Sequence, residues 1–118
     1  MRYAVEQGKN EFDDVVQDFQ APFSGTLGAW RLMAMMRFGD PAEVLVAVPE
    51  MLPQLLIPTI IFQGSRDPAI PQHFAQRASA PIPQSKVITV DSGHFIPLNS
   101  PNVVATEQLS FFQSAAPA

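Results

Sequence analysis

Two short segments hold the residues whose types and spacing suit chemistry. The first is Gly64-Ser65-Arg66-Asp67-Pro68-Ala69-Ile70-Pro71, and the second is Asp91-Ser92-Gly93-His94-Phe95-Ile96-Pro97. Each follows a β-branched, apolar run. A carboxylate held against an imidazole fixes its tautomer and stabilises its protonated form, which makes the imidazole a poised base. Asp67 and His94 are the candidates for that pair. What such a base activates is a separate question. No serine or aspartate in the chain has a glycine two residues before it and another two residues after it, and there is no cysteine.

The elements that must position these segments are legible in outline. Thr59-Ile60-Ile61-Phe62 is a continuous apolar run without alternation, which predicts a strand buried on both faces and ended by Gly64. Lys86-Val87-Ile88-Thr89-Val90 predicts a second strand. Pro71 to Arg77 reads as a short helix between them. A last helix opens at Ser100-Pro101, with Ala105, Leu109 and Phe112 on one face. Strand, helix, strand, helix implies a parallel unit with a right-handed crossover. Both segments then leave the carboxyl edge of the sheet, where open α/β sheets place their ligand sites. Neighbouring parallel strands bring Asp67 to His94.

Residues 1–57 have a different character and read as short helices with turns between them. Phe12, Val15, Val16 and Phe19 are spaced for one helical face. Ala21 to Gly25 breaks that pattern. Leu27, Trp30, Met33 and Met36 recur at helical spacing, a stripe expected to pack in a core, or else to line a substrate pocket. Gly39 is expected to end that helix, and Asp40-Pro41-Ala42-Glu43 to start the next with a capping box. Pro49 and Pro53 are expected to keep the helices before the first strand short.

Composition excludes several classes. Of 118 residues, 47% are hydrophobic and only 15% charged, the opposite of a disordered chain. Twelve of the 18 charges lie in residues 1–50, eight acidic and four basic, so the net charge of −4 arises there. With no basic cluster, nucleic acid is not an expected partner. With no cysteine and only His73 and His94, neither a thiolate nor a three-histidine metal site is expected. The apolar stretches are broken by proline, so no membrane partner is expected. The first residues carry no apolar signal core, which leads to a cytoplasmic expectation.

The two segments, in this order and at this spacing, resemble the acid loop and histidine loop of the α/β-hydrolase fold family. The strand run Ile57 to Gly64 and the trailing helix to Phe111-Phe112 resemble that family as well. Residues 1–57 are similar, more weakly, to the rear of its helical lid and the return to the sheet. The resemblance implies an α/β fold. It divides the chain into a lid remnant at 1–57 and the C-terminal strand–helix–strand–helix part of the hydrolase core at 58–118.

It also implies Asp67 as the acid and His94 as the base of a nucleophile–His–Asp triad. The reaction would be hydrolysis of an ester, amide, epoxide or carbon–halogen bond in a small-molecule substrate, without metal or organic cofactor. The family's nucleophile sits in a G-x-S-x-G elbow. None is present, so the resemblance implies a truncated member whose elbow and oxyanion hole lie upstream. The alternative is a non-catalytic remnant that binds a partner or a small apolar ligand. Two strands alone leave bare apolar edges, so self-association through the sheet edge is expected.

Overall fold

A computed structural model describes residues 12–38 and 41–115. Its one sheet has two parallel strands, β1 (Thr59–Gly64) and β2 (Ser85–Val90). The register runs from Thr59 opposite Ser85 to Gly64 opposite Val90. Both strands therefore end level, and the segments after them leave from the same edge. Thr59 N–H donates to Gln84 and Ser65 N–H to Val90, which extends the ladder beyond each end.

The helices before the sheet are α1 (Asp13–Gln20), α2 (Gly28–Arg37) and α3 (Ala42–Met51). Short 3-10 turns at Ala21–Phe23 and Leu52–Gln54 follow α1 and α3. Gly25 carries the chain between α1 and α2 at φ 76°, a left-handed conformation that glycine adopts without a Cβ penalty. On the face of α1, Val16 is buried and Val15 half-buried, as is Phe12 just before the helix, while Phe19 is exposed. Helix α2 stops at Arg37 because Phe38 turns extended, at φ −76° and ψ 113°. The expected roles of Gly39 and Asp40 at this junction fall outside the described residues. Pro49 does not end α3. It sits inside the last turn, which continues to Met51 without the N–H that would have reached Leu45.

After β1 come α4 (His73–Ser79), then β2, then α5 (Ile96–Asn99) and α6 (Pro101–Ala115). The small core joins Val90, Ile96 and Val104, with Phe62 and Ile88 packed against it. Ala75 and Ile82 are buried where α4 returns to β2.

Three expectations need correction. Ile60, Ile61 and Phe62 are half-buried rather than covered on both faces, because two strands and three helices provide too little cover. Helix α6 turns Val104 and Phe111 inward and leaves Ala105, Leu109 and Phe112 exposed. Apolar residues lie on both sides of that helix, so periodicity alone does not select the packed side. The α2 stripe is not core either. Trp30 is 69% exposed and Phe38, just beyond the helix, 90%, with Met33 and Met36 also exposed.

Candidate active site

Asp67 and His94 meet above the carboxyl edge of the sheet. Nδ1 of His94 lies 2.9 Å from Oδ2 of Asp67, within the range of a good charge-assisted hydrogen bond. The Asp67 side chain is 6% exposed and that of His94 33%. One partner is thus held inside and the other reaches the surface.

The geometry follows from local sequence. Gly64, at the end of β1, accepts from the Asp67 N–H at 3.4 Å, which closes a tight turn over Ser65 and Arg66. Pro68 comes directly after, and Asp67 folds back over it. Oδ1 of Asp67 accepts from the N–H groups of Ala69 at 2.8 Å and Ile70 at 3.0 Å, the turn chemistry that Asp before Pro favours. With Oδ1 held by two backbone donors, Oδ2 is left aimed at His94. The histidine comes four residues after Val90, through a sharp bend in which Ser92 N–H donates to Val90.

Burial by itself would raise the Asp67 carboxyl. The hydrogen bond to His94, the two N–H donors of Ile70 and Ala69, and the charge of His94 outweigh it and hold the group below its ordinary 3.8. The carboxylate is therefore ionised at neutral pH. When the imidazole of His94 is neutral, this carboxylate favours the Nδ1–H tautomer, which leaves the Nε2 lone pair available to accept a proton. Phe95 sets its ring edge-on to His94 at 5.4 Å between centroids, and Phe19 of α1 lies 6.4 Å from Phe95. A cleft of about 630 Å³ lined by Phe19, Gln20, Phe23, Ser24 and Leu32 shares Phe19 with this stack.

One bracing residue carries no motif that sequence reasoning singles out. Gln63 is buried, and its Nε2 donates to the carbonyls of Gly64 and Ile70, both at 3.0 Å. It pins the two ends of the turn that carries Asp67. A signal does exist: a glutamine inside an apolar strand run must find partners once buried.

The remaining polar residues are less involved. Arg66 turns away from Asp67 and pairs with Asp91, Nε to Oδ1 at 2.9 Å, with side chains 54% and 85% exposed. Ser65 Oγ also donates to that Asp91 carboxylate, at 3.3 Å. His73 begins α4, exposed, with its ring 4.4 Å from that of Phe74. Among the described residues no cluster of three or more acidic or histidine side chains is placed to hold a metal ion. None of the described helices is long and apolar enough to cross a membrane.

No protein-family model, curated protein or solved structure matches this chain. The functional reading therefore rests on the chain's own residues and their arrangement.

Proposed function

We propose that this chain supplies the acid and the base of a hydrolase of the α/β-hydrolase fold, with Asp67 orienting His94 and His94 acting as general base. The observation that carries the reading is the 2.9 Å bond between a nearly buried carboxylate and a half-buried imidazole, at the carboxyl edge of a parallel sheet. Residues 1–57 act as lid material and residues 58–118 form the C-terminal part of the core in this reading.

The nucleophile comes from a segment outside these residues, since no glycine-flanked elbow is among them. A serine there would attack an ester or amide and form an acyl-enzyme. An aspartate would open an epoxide or displace a halide and form an alkyl ester. In either case His94 removes a proton from the water that releases the product. The small-molecule substrate binds between lid and sheet edge.

A fusion tests this reading. The chain alone should show no stoichiometric burst with a p-nitrophenyl ester. Joined to an N-terminal half carrying a strand–elbow–helix unit, it should hydrolyse the ester, and His94→Ala should remove several orders of magnitude of that activity, because triad members act as a unit. An active fusion indifferent to His94→Ala rejects the assignment. So does a burst from the bare chain that is abolished by mutating one of its own serines.

The exposure of Trp30, Met36 and Phe38 favours a second reading. In it the chain is a non-catalytic module that uses this apolar surface and the open sheet edge to bind a partner or itself. An inactive fusion together with tight self-association supports that reading over the first.

A further inference from the structure

Gly64 is the point at which the two chemistry-bearing loops touch. It is buried, closes β1 opposite Val90, and stands three residues before Asp67. A Cβ placed on it would lie 2.3 Å from the Gly93 carbonyl oxygen, 2.7 Å from that of Ser92 and 3.1 Å from the Gly93 carbonyl carbon. All three are backbone atoms, so no side chain can swing aside. Gly93 directly precedes His94. Around this contact the backbones are stitched together: Ser65 N–H donates to Val90 at 2.8 Å and Arg66 N–H to Ser92 at 3.0 Å.

We propose that Gly64 is a positioning residue for the Asp67–His94 pair, its bare Cα serving as the seat on which the Ser92 and Gly93 carbonyls rest and so setting the distance between acid and base. Any side chain at this position must push the two loops apart by about 0.7 Å to reach the shortest separation a Cβ tolerates, and by about 1.1 Å to restore an ordinary contact. Added to a 2.9 Å bond, that displacement carries Nδ1 and Oδ2 beyond hydrogen-bond range. The exposed Arg66–Asp91 link also joins the loops, but it sits at the solvent edge and does not set their closest approach. The inference rests on reading Asp67 and His94 as a working pair, and its test does not need hydrolysis.

The chain has two histidines, so ¹⁵N-histidine labelling gives two rings, and the His73→Ala background leaves one. Magic-angle-spinning NMR, which tolerates self-association, reports which ring nitrogen carries the proton at a pH high enough for the ring to be neutral. The parent should show His94 as the Nδ1–H tautomer. Gly64→Ala should lose that signature, with helix content by circular dichroism retained, whereas Asp91→Ala should keep it. A folded Gly64→Ala that keeps the Nδ1–H tautomer overturns the proposal, as does its loss in Asp91→Ala alone.

A second measurement fixes the direction of cause and decides the matter if Gly64→Ala does not fold. Amide exchange at Ser65 and Arg66 should change less than about twofold in His94→Ala if the glycine seat holds the loops. A tenfold or greater loss of protection means that the pair holds the loops, and the seat is refuted. A parent chain without the Nδ1–H tautomer removes the pair itself. An inactive fusion with that tautomer intact removes only the hydrolase reading.

Discussion

The Asp67 carboxylate divides its two oxygens between its own turn and His94. Oδ1 accepts from the Ala69 and Ile70 N–H groups, and Oδ2 faces Nδ1 of His94 at 2.9 Å. The backbone donors of the turn hold the carboxylate from the side opposite the histidine's bond. The imidazole therefore meets a preoriented anion instead of having to organise a mobile one.

That arrangement has a pH signature. The folded carboxyl of Asp67 lies below its ordinary 3.8, so over this window the unfolded chain binds more protons than the folded one. Stability therefore rises with pH there. The contribution is fully present above about pH 4 to 5 and is lost as pH falls through the depressed folded value. Acid titration followed by amide exchange in the 64–70 turn should show this loss, and Asp67→Asn should remove it. An acid profile that Asp67→Asn leaves unchanged contradicts the assignment.

Asp67→Asn should also be severe in the active fusion, on the order of 10⁴ in turnover, because an amide can hold the imidazole in the wrong tautomer. The check is steady-state p-nitrophenyl ester hydrolysis beside His94→Ala. A loss of less than about tenfold would mean that His94 is not oriented by Asp67.

Gln63 gives a test confined to the brace. Gln63→Met keeps the volume and deletes both donors to the Gly64 and Ile70 carbonyls. It should weaken the 64–70 turn by about 1–3 kcal/mol, since the Ile70 carbonyl loses the Gln63 donor and the Gly64 carbonyl is left with the long bond from the Asp67 N–H. Exchange protection across those residues measures this. Gln63→Glu should be worse, because a buried carboxylate faces the same carbonyls.

By contrast, Arg66→Ala should cost no more than about 1 kcal/mol, since the Arg66–Asp91 ion pair is exposed and screened. Thermal melting in low and high salt tests it. A large, salt-dependent loss would show that the pair holds the loops together.

The isolated chain should not behave as a two-state monomer. Among the described residues the sheet has two strands, the central residues of β1 are half-buried, and Trp30, Met36 and Phe38 face solvent. Urea unfolding should be broad, and analytical ultracentrifugation should find associated species. A sharp transition from a monodisperse monomer refutes this expectation.

The parallel pair, its helices and the two loops were legible in the residues. The β-branched runs at 59–62 and 86–90, with a proline-opened helix between them, admit few other arrangements. Asp67 and His94 stood out because each follows such a run in a turn-forming context. Which way each helix faces was not legible. The apolar residues of α6 lie on both sides, and only packing against Val90 and Ile96 selects Val104. The α2 stripe carries the same ambiguity, since a periodic apolar face states a need for cover without saying what meets it.

The sequence by itself determined the local order: strand, turn, acid, helix, strand, bend, base. Those features depend on the preferences of neighbouring residues. Tertiary structure alone decided three others. The level register of β1 and β2 brings Asp67 and His94 to one height. Gln63 turns inward to hold both ends of the acid turn. Gly64 lies under the Ser92 and Gly93 carbonyls. Each of these joins atoms from different elements or from opposite ends of a turn, and their separation is set by packing distance, which residue preferences along one strand do not encode.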